Sequence, residues 1–274
     1  EIVCIVGPTA VGKSDFAVQY AKKHNGEIIS ADSRQVYVGL DIGTGKITKK
    51  EMRGIPHHLL DVMSPKKQFT VGKFKELADK AITEIVSRGK LPIICGGTGF
   101  YIDAVVKNIS YPEVPRNATL RKKLFAKSPE ELYNLLSKLD VKYAKGLNNS
   151  ERYNPNRLVR SIEIASALGK VPQIEESESP YSVKWINLNL PKNKLIERIN
   201  KRLSKRLKSG MIEEIKKLHK NGLSWKRMEE LGLEYRYIAR FLQKKILKEE
   251  MIMQLQTEIW HYAKRQILWF KRIK

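Results

Sequence analysis

Ile2-Val3-Cys4-Ile5-Val6-Gly7-Pro8-Thr9-Ala10-Val11-Gly12-Lys13-Ser14 is an apolar run, a turn bounded by glycines, and the start of a helical stretch from Lys13 to Lys23. The order strand, glycine loop, helix decides the fold. Such a loop lets consecutive backbone N–H groups curl around a phosphate, and the positive end of the following helix adds its own attraction. Gly7, Pro8, Thr9, Ala10, Val11, Gly12, Lys13 and Ser14 match the P-loop pattern GxxxxGK(S/T). In that pattern Lys13 contacts the terminal phosphate and the Ser14 hydroxyl can ligate Mg²⁺.

Outward from the loop, the chain alternates. Glu27–Ser30 reads as a second strand, and 39–70 is rich in Gly, Pro and Thr and reads largely as loop. Phe74, Leu77, Ala78, Ala81, Ile82 and Ile85 fall at helical spacing within Phe69–Arg88, and Gly89 caps that helix. Leu91–Cys95 is a fully apolar run and a further buried strand. Strands alternating with helices make a parallel sheet with helices on its faces. After Tyr111 the pattern is helical only, interrupted at Ser128-Pro129 and at the Asn148–Pro155 turn. A polar linker, Glu175–Pro180, precedes a strand-like Lys184–Leu190. The basic stretches Lys192–Leu207, Ile212–Lys220, Glu229–Phe241 and Glu249–Phe270 read as helices. The expected class is α/β: a P-loop NTPase-like parallel sheet with flanking helices, formed by 1–111 and 183–274. An all-helical insertion occupies 112–182.

The net charge is +23, and +13 of it falls on residues 194–274. So concentrated an excess favours a polyanionic partner, through counterion release and long-range attraction. Cys4 and Cys95 each sit inside an apolar run without a CxxC pattern or histidine neighbour, as buried thiols do. No apolar run has the length of a membrane span. These features point to a cytoplasmic protein that does not engage a membrane.

The phosphate chemistry is narrowed by the acids. Leu91–Cys95 runs into Gly96-Gly97-Thr98, without the strand-end carboxylate that NTPases use to hold Mg²⁺ through water. The carboxylate comes instead at Asp32, just past Ser30, where it can act as a general base beside the phosphates or cap a turn.

GPTAVGKS (Gly7–Ser14), ADSRQVY (Ala31–Tyr37), GIPHHLLD (Gly54–Asp61), GGTGFY (Gly96–Tyr101), NPNRLVR (Asn154–Arg160) and YAKRQILWF (Tyr262–Phe270) occur in that order. Together they resemble the bacterial-type tRNA dimethylallyltransferases over essentially the whole chain. The resemblance implies that dimethylallyl diphosphate lies where an NTPase holds ATP, with the P-loop, Lys13 and Mg²⁺ on the leaving diphosphate. It implies that the acceptor is N6 of the adenine 3′-adjacent to the anticodon, in the tRNA anticodon stem-loop, and that Asp32 is the general base. Thr9 and Arg202 match positions on the diphosphate. Asp32, Ser33, Arg34 and Gln35 match the segment around the target adenine. Thr98, Arg121, Asn156, Arg157, Leu158, Val159 and Arg160 match tRNA-contacting positions. A monomer is the expected state. Ser14 stands where the commoner pattern has Thr and keeps the hydroxyl; Leu231–Arg236 departs from the usual stretch before the last helix.

Three other activities compete: a nucleoside or nucleotide kinase, a prenyltransferase acting on free adenine nucleotides, and a non-catalytic RNA-binding ATPase. A small acceptor requires neither the helical insertion nor the basic last third, and the placement of Asp32 argues against the ATPase. His57-His58 with Asp61 resembles a ligand cluster, but adjacent side chains diverge and a structural or substrate-loop role fits better. Trp260, Tyr262, Trp269 and Phe270 interleave with Lys264, Arg265 and Lys271 at a spacing that puts the aromatics toward the core.

Overall fold

The computed structural model describes residues 1–173 and 178–273. The chain forms two compact units, Glu1–Asn108 with Ser177–Lys274, and Ile109–Glu176. The first begins with β1 (Ile2–Val6), α1 (Lys13–Lys23), β2 (Gly26–Ala31), α2 (Lys49–Met52), β3 (His57–His58), α3 (Val71–Ser87), β4 (Leu91–Gly96) and α4 (Gly99–Val106). The second holds α5 (Ala118–Leu124), α6 (Pro129–Leu139), α7 (Val141–Gly146), α8 (Asn149–Arg152) and α9 (Pro155–Leu168). The first resumes with β5 (Val183–Asn187), α10 (Lys192–Lys208), α11 (Met211–Lys220), α12 (Trp225–Leu231), α13 (Leu233–Leu242) and α14 (Lys248–Phe270).

Among the described residues the strands form one parallel sheet in the order β3-β2-β4-β1-β5. All five residues of β1 are buried, because a central parallel strand is covered on both faces. Side chains alternate across it. Ile2, Cys4 and Val6 enter the larger core with Phe74, Ile102, Leu195 and Leu255; Val3 and Ile5 pack against Ala17, Val18 and Ala21 of α1. Cys4 and Cys95 are both buried free thiols. Among the described residues no helix is long and apolar enough to cross a membrane.

Three features differ from the sequence reading. The 39–70 segment contains α2, with a Thr48–Glu51 capping box, and the edge strand β3. A helix, α4, follows Thr98 directly, where none was expected. Glu229–Phe241 is two helices, because Gly232 adopts φ 76°, ψ −172° and ends α12 before α13 begins. The expected 175–180 linker lies partly outside the described residues.

The helical unit has its own core of Leu124, Leu132, Leu136, Ala144, Leu158, Val159, Ile162 and Ala165. Ser128 and Glu131 form a capping box with Pro129 in the first turn of α6, and the Asn154 side chain caps α9.

Glu27 on β2 is a buried carboxylate held by Lys90 (2.8 Å), Arg88 (2.7 Å) and His58 (2.7 Å). Burial alone pushes its pKa up; hydrogen bonds from Lys90, Arg88 and His58 outweigh that and hold it near 2, below its ordinary 4.5. A carboxylate with a depressed folded pKa stabilises the fold above its unfolded pKa, and that stability is lost as pH falls from about 4.5 toward 2. Glu27→Gln should therefore cost roughly 1.5–3 kcal/mol at neutral pH, since its partners are partly exposed. Denaturant titrations should show the gap from wild type closing between pH 5 and about 2.

Candidate active site

In a parallel sheet, the loops leaving the carboxyl ends of adjacent strands share one rim. Here that rim carries Gly7–Gly12 after β1, Asp32–Gln35 after β2 and Gly97-Thr98 after β4. Gly7 has φ 138°, and a Cβ there would meet the Leu188 carbonyl oxygen at 2.3 Å, so only glycine fits where the chain leaves β1 beside β5. The Lys13 ammonium donates to the Gly7 and Pro8 carbonyls, each at 2.8 Å. Arg202 of α10 donates to the Thr9 hydroxyl, and Arg198 to the Val11 carbonyl at 3.1 Å. The backbone N–H of Thr9 donates to Gln266 of α14 at 2.7 Å.

The Asp32 turn is built by its own side chain. Oδ1 accepts from the N–H groups of Arg34 (2.8 Å) and Gln35 (3.3 Å). The Thr98 hydroxyl accepts from the Ser33 N–H at 3.2 Å. Arg34 donates to the Leu231 carbonyl at 2.7 Å. Capping and catalysis are thus compatible in Asp32: one oxygen organises the turn while the residue lines a cavity.

That cavity has a volume of about 350 Å³ and is lined by Thr9, Asp32, Arg34, Arg202, Arg206, Glu234 and Tyr262 among others. Arg206 pairs with Glu234 at 3.3 Å and donates to the Gly43 and Thr44 carbonyls. Burial lowers the Arg202 guanidinium to about 10, and the neighbouring Arg206 charge adds to the shift. Burial raises Glu234, with the Arg206 charge opposing. Burial likewise brings Lys13 down to about 8; Arg202 works in the same direction, and Cys95 and Asp32 against it. The walls therefore hold cations at a desolvation cost that an incoming polyanion relieves.

Two of the three basic candidates of the helical unit, Arg121 and Arg160, are arranged around one acid. Glu163, 3% exposed, accepts from Arg121 (2.7 Å to each oxygen), from Arg160 (3.4 Å) and from the Asn117 N–H (3.0 Å). Arg157 is exposed and paired with Glu151 at 2.7 Å. Leu158 and Val159 are buried in the unit's core, so of the stretch Asn156–Arg160 only Asn156, Arg157 and, in part, Arg160 turn outward. The reason is helical period: four consecutive residues cannot share one face.

The family model described as IPP transferase matches residues 35–273. The chain is 40% identical to the tRNA dimethylallyltransferase of Anoxybacillus flavithermus, over 99% of this chain and 87% of that one. It is 43% identical to tRNA dimethylallyltransferase 2 of Treponema denticola, over 99% and 92%. The crystal structure of the full-length tRNA isopentenylpyrophosphate transferase from Bacillus halodurans superposes with a TM-score of 0.74 at 38% identity, over 99% of this chain and 87% of that one. The chain belongs to the tRNA dimethylallyltransferase family. It is thus an enzyme of the prenyl-transferring class, on the P-loop fold of that family.

In this family member several residues are not evident from the sequence: Arg206, Glu234 and Tyr262 in the cavity wall, and Gln266 behind the P-loop. Tyr262 and Gln266 stood within a quoted motif, but helical spacing alone assigned that stretch to the core. His57 and His58 have structural partners, the Ile55 carbonyl at 2.8 Å and Glu27, and Asp61 pairs with Lys46. Trp260 and Trp269 are partly buried and Phe270 fully, with Arg272 stacked 4.0 Å over Trp269.

Ser14 is exposed in the first turn of α1. Among the described residues no group of three or more His, Cys, Asp or Glu could hold a metal ion. A single hydroxyl fits an ion that keeps several waters and draws its other ligands from substrate phosphates, which is the habit of Mg²⁺.

Binding of a diphosphate favours charged Lys13, so its pKa rises on binding. Affinity for inorganic diphosphate should then be full below about pH 8 and fall as pH rises through that value. Calorimetric titrations from pH 7 to 9.5 at fixed Mg²⁺ check this; Lys13→Met should bind weakly and lose the dependence.

Proposed function

We propose that the chain transfers a dimethylallyl group from dimethylallyl diphosphate to N6 of the adenine 3′-adjacent to the anticodon in tRNA, releasing diphosphate. The observation that carries this reading is that Asp32, Thr9 and Arg202 line one cavity, next to a P-loop and without a strand-end acid after β4. Relatives named as tRNA dimethylallyltransferases support it.

The N6 lone pair forms the new C–N bond as the allylic C–O bond breaks. The bonding electrons leave on the diphosphate, and Asp32 accepts the proton from N6. Charge grows on the diphosphate as the bond breaks, so preorganised donors count most there. Lys13, the Thr9 hydroxyl, Arg202 and the backbone N–H groups of Ala10–Ser14 are those donors. Mg²⁺, held by Ser14 when bound, supplies further neutralisation of the leaving group. Ser33, Arg34, Gln35 and Thr98 border the adenine. Arg157, Asn156 and the Glu163-organised Arg121 and Arg160 take tRNA phosphates, making the helical unit a tRNA-contacting module. The state proposed for the enzyme is a monomer. The basic surface and tRNA substrate fit the cytoplasm.

Labelled dimethylallyl diphosphate incubated with Mg²⁺ and either bulk tRNA or AMP should label tRNA alone; label on AMP would replace this reading with a nucleotide prenyltransferase. Asp32→Asn keeps size but accepts no proton at neutral pH. It should lower kcat by roughly two to four orders of magnitude with diphosphate affinity nearly unchanged. Full activity in that variant removes Asp32 from the chemistry.

The partner's charge gives a separate check. tRNA affinity should drop steeply with salt, with a slope equivalent to several phosphate contacts. Arg157→Glu should weaken tRNA binding and flatten that slope, leaving diphosphate affinity as in wild type.

A further inference from the structure

We propose that Gln266 is a positioning residue that ties the P-loop to the turn after β4 and so sets the distance between the bound diphosphate and Asp32. The inference rests on the reading of Asp32 and the P-loop given above. β1 and β4 are neighbours in the sheet, and their paired register ends at Ile5 and Cys95. Beyond it, among the described residues, no ladder pairs the two loops. Gln266, only 5% exposed on α14, bridges them there. Its Oε1 accepts from the Thr9 N–H at 2.7 Å, and its Nε2 donates to the Gly97 carbonyl at 2.9 Å.

A carboxamide offers an acceptor oxygen and a donor NH₂ in fixed geometry, and here only one orientation satisfies both loops. Gly97 makes room for it, since a Cβ there would stand 2.0 Å from Gln266 Nε2. The contact then continues. Thr98, next to Gly97, accepts from the Ser33 N–H, and Ser33 adjoins Asp32, whose Oδ1 caps the turn. A line of hydrogen bonds thus runs from the P-loop to the turn that carries the base. The Thr9 N–H is spent on Gln266 and not offered to a phosphate, so the amide places the loop and does not bind the anion.

Two substitutions test this. Gln266→Met keeps the volume and loses both bonds; kcat should fall about tenfold or more, as small misplacements of reacting groups do, with tRNA affinity within about twofold of wild type. Gln266→Glu is the sharper probe. A protonated carboxyl can accept from Thr9 and donate to Gly97, whereas the ionised one turns an oxygen on the Gly97 carbonyl. Its kcat should approach wild type at low pH and fall as pH rises, a limb absent from the wild-type profile and from Gln266→Met. All activities are counted per folded enzyme, by near-ultraviolet circular dichroism at the assay temperature. Wild-type kcat in Gln266→Met, or a wild-type pH profile in Gln266→Glu, overturns the proposal. With Asp32→Asn measured alongside, loss of activity only in that variant also overturns it and leaves the Asp32 reading standing. Loss only in the Gln266 variants overturns the Asp32 reading, and with it the action of Gln266 through Asp32.

Discussion

Parallel pairing of β1 between β4 and β5 is the constraint on which the rest of the first unit depends. Parallel strands deliver their loops to the same end, so the P-loop, the Asp32 turn and the Gly97-Thr98 turn meet on one rim although they are separated by many residues in sequence. Burial of β1 on both faces leaves it no alternative register, because a one-residue slip would exchange Ile2, Cys4 and Val6 with Val3 and Ile5 between differently shaped cores. Gly7 and Leu188 lie against each other at the point where β1 and β5 both end, so the P-loop begins where the sheet stops.

Around that rim the C-terminal helices do two kinds of work. Their apolar faces cover the sheet, with Leu195, Ile199, Leu255 and Ile259 in the core. Their polar faces supply Arg198, Arg202 and Arg206 from α10, Glu234 from α13, and Tyr262 and Gln266 from α14. Arg198, Arg202 and Arg206 recur every four residues, which places them along one side of α10. Burial of such cations is expensive, and the lowered pKa values of Lys13 and Arg202 express that cost. On the proposed reading, the polyanionic diphosphate offsets that cost.

The helical unit solves a related problem by another route. Arg121 and Arg160 belong to different helices, and the buried Glu163 holds both guanidinium groups. Burial pushes Glu163 up, but its hydrogen bonds with Arg121 and the Asn117 N–H win and bring it below the usual carboxylate range. One inward acid thereby orders two outward bases.

Local pattern was enough to read the P-loop, α1, β2, α3, β4 and the long last helix, because each is written in contiguous residues: an apolar run, a glycine turn or a period of 3.6. The charge gradient toward residues 194–274, and the family to which the chain belongs, were equally legible in one dimension. The break at Gly232 was not, since a helical period continues across it and only the backbone angle reveals the interruption. Neither was the outward or inward choice within Asn156–Arg160, which the packing of α9 against α6 makes by burying Leu158 and Val159. Gln266 shows the limit most clearly. Its spacing is that of a core position and it is buried like one, yet its amide faces two loops that lie 169 and 257 residues away in sequence. Hydrogen bonds between distant backbone groups leave no periodic trace in a sequence; tertiary structure alone decides them, because only folding brings donor and acceptor to within 3 Å.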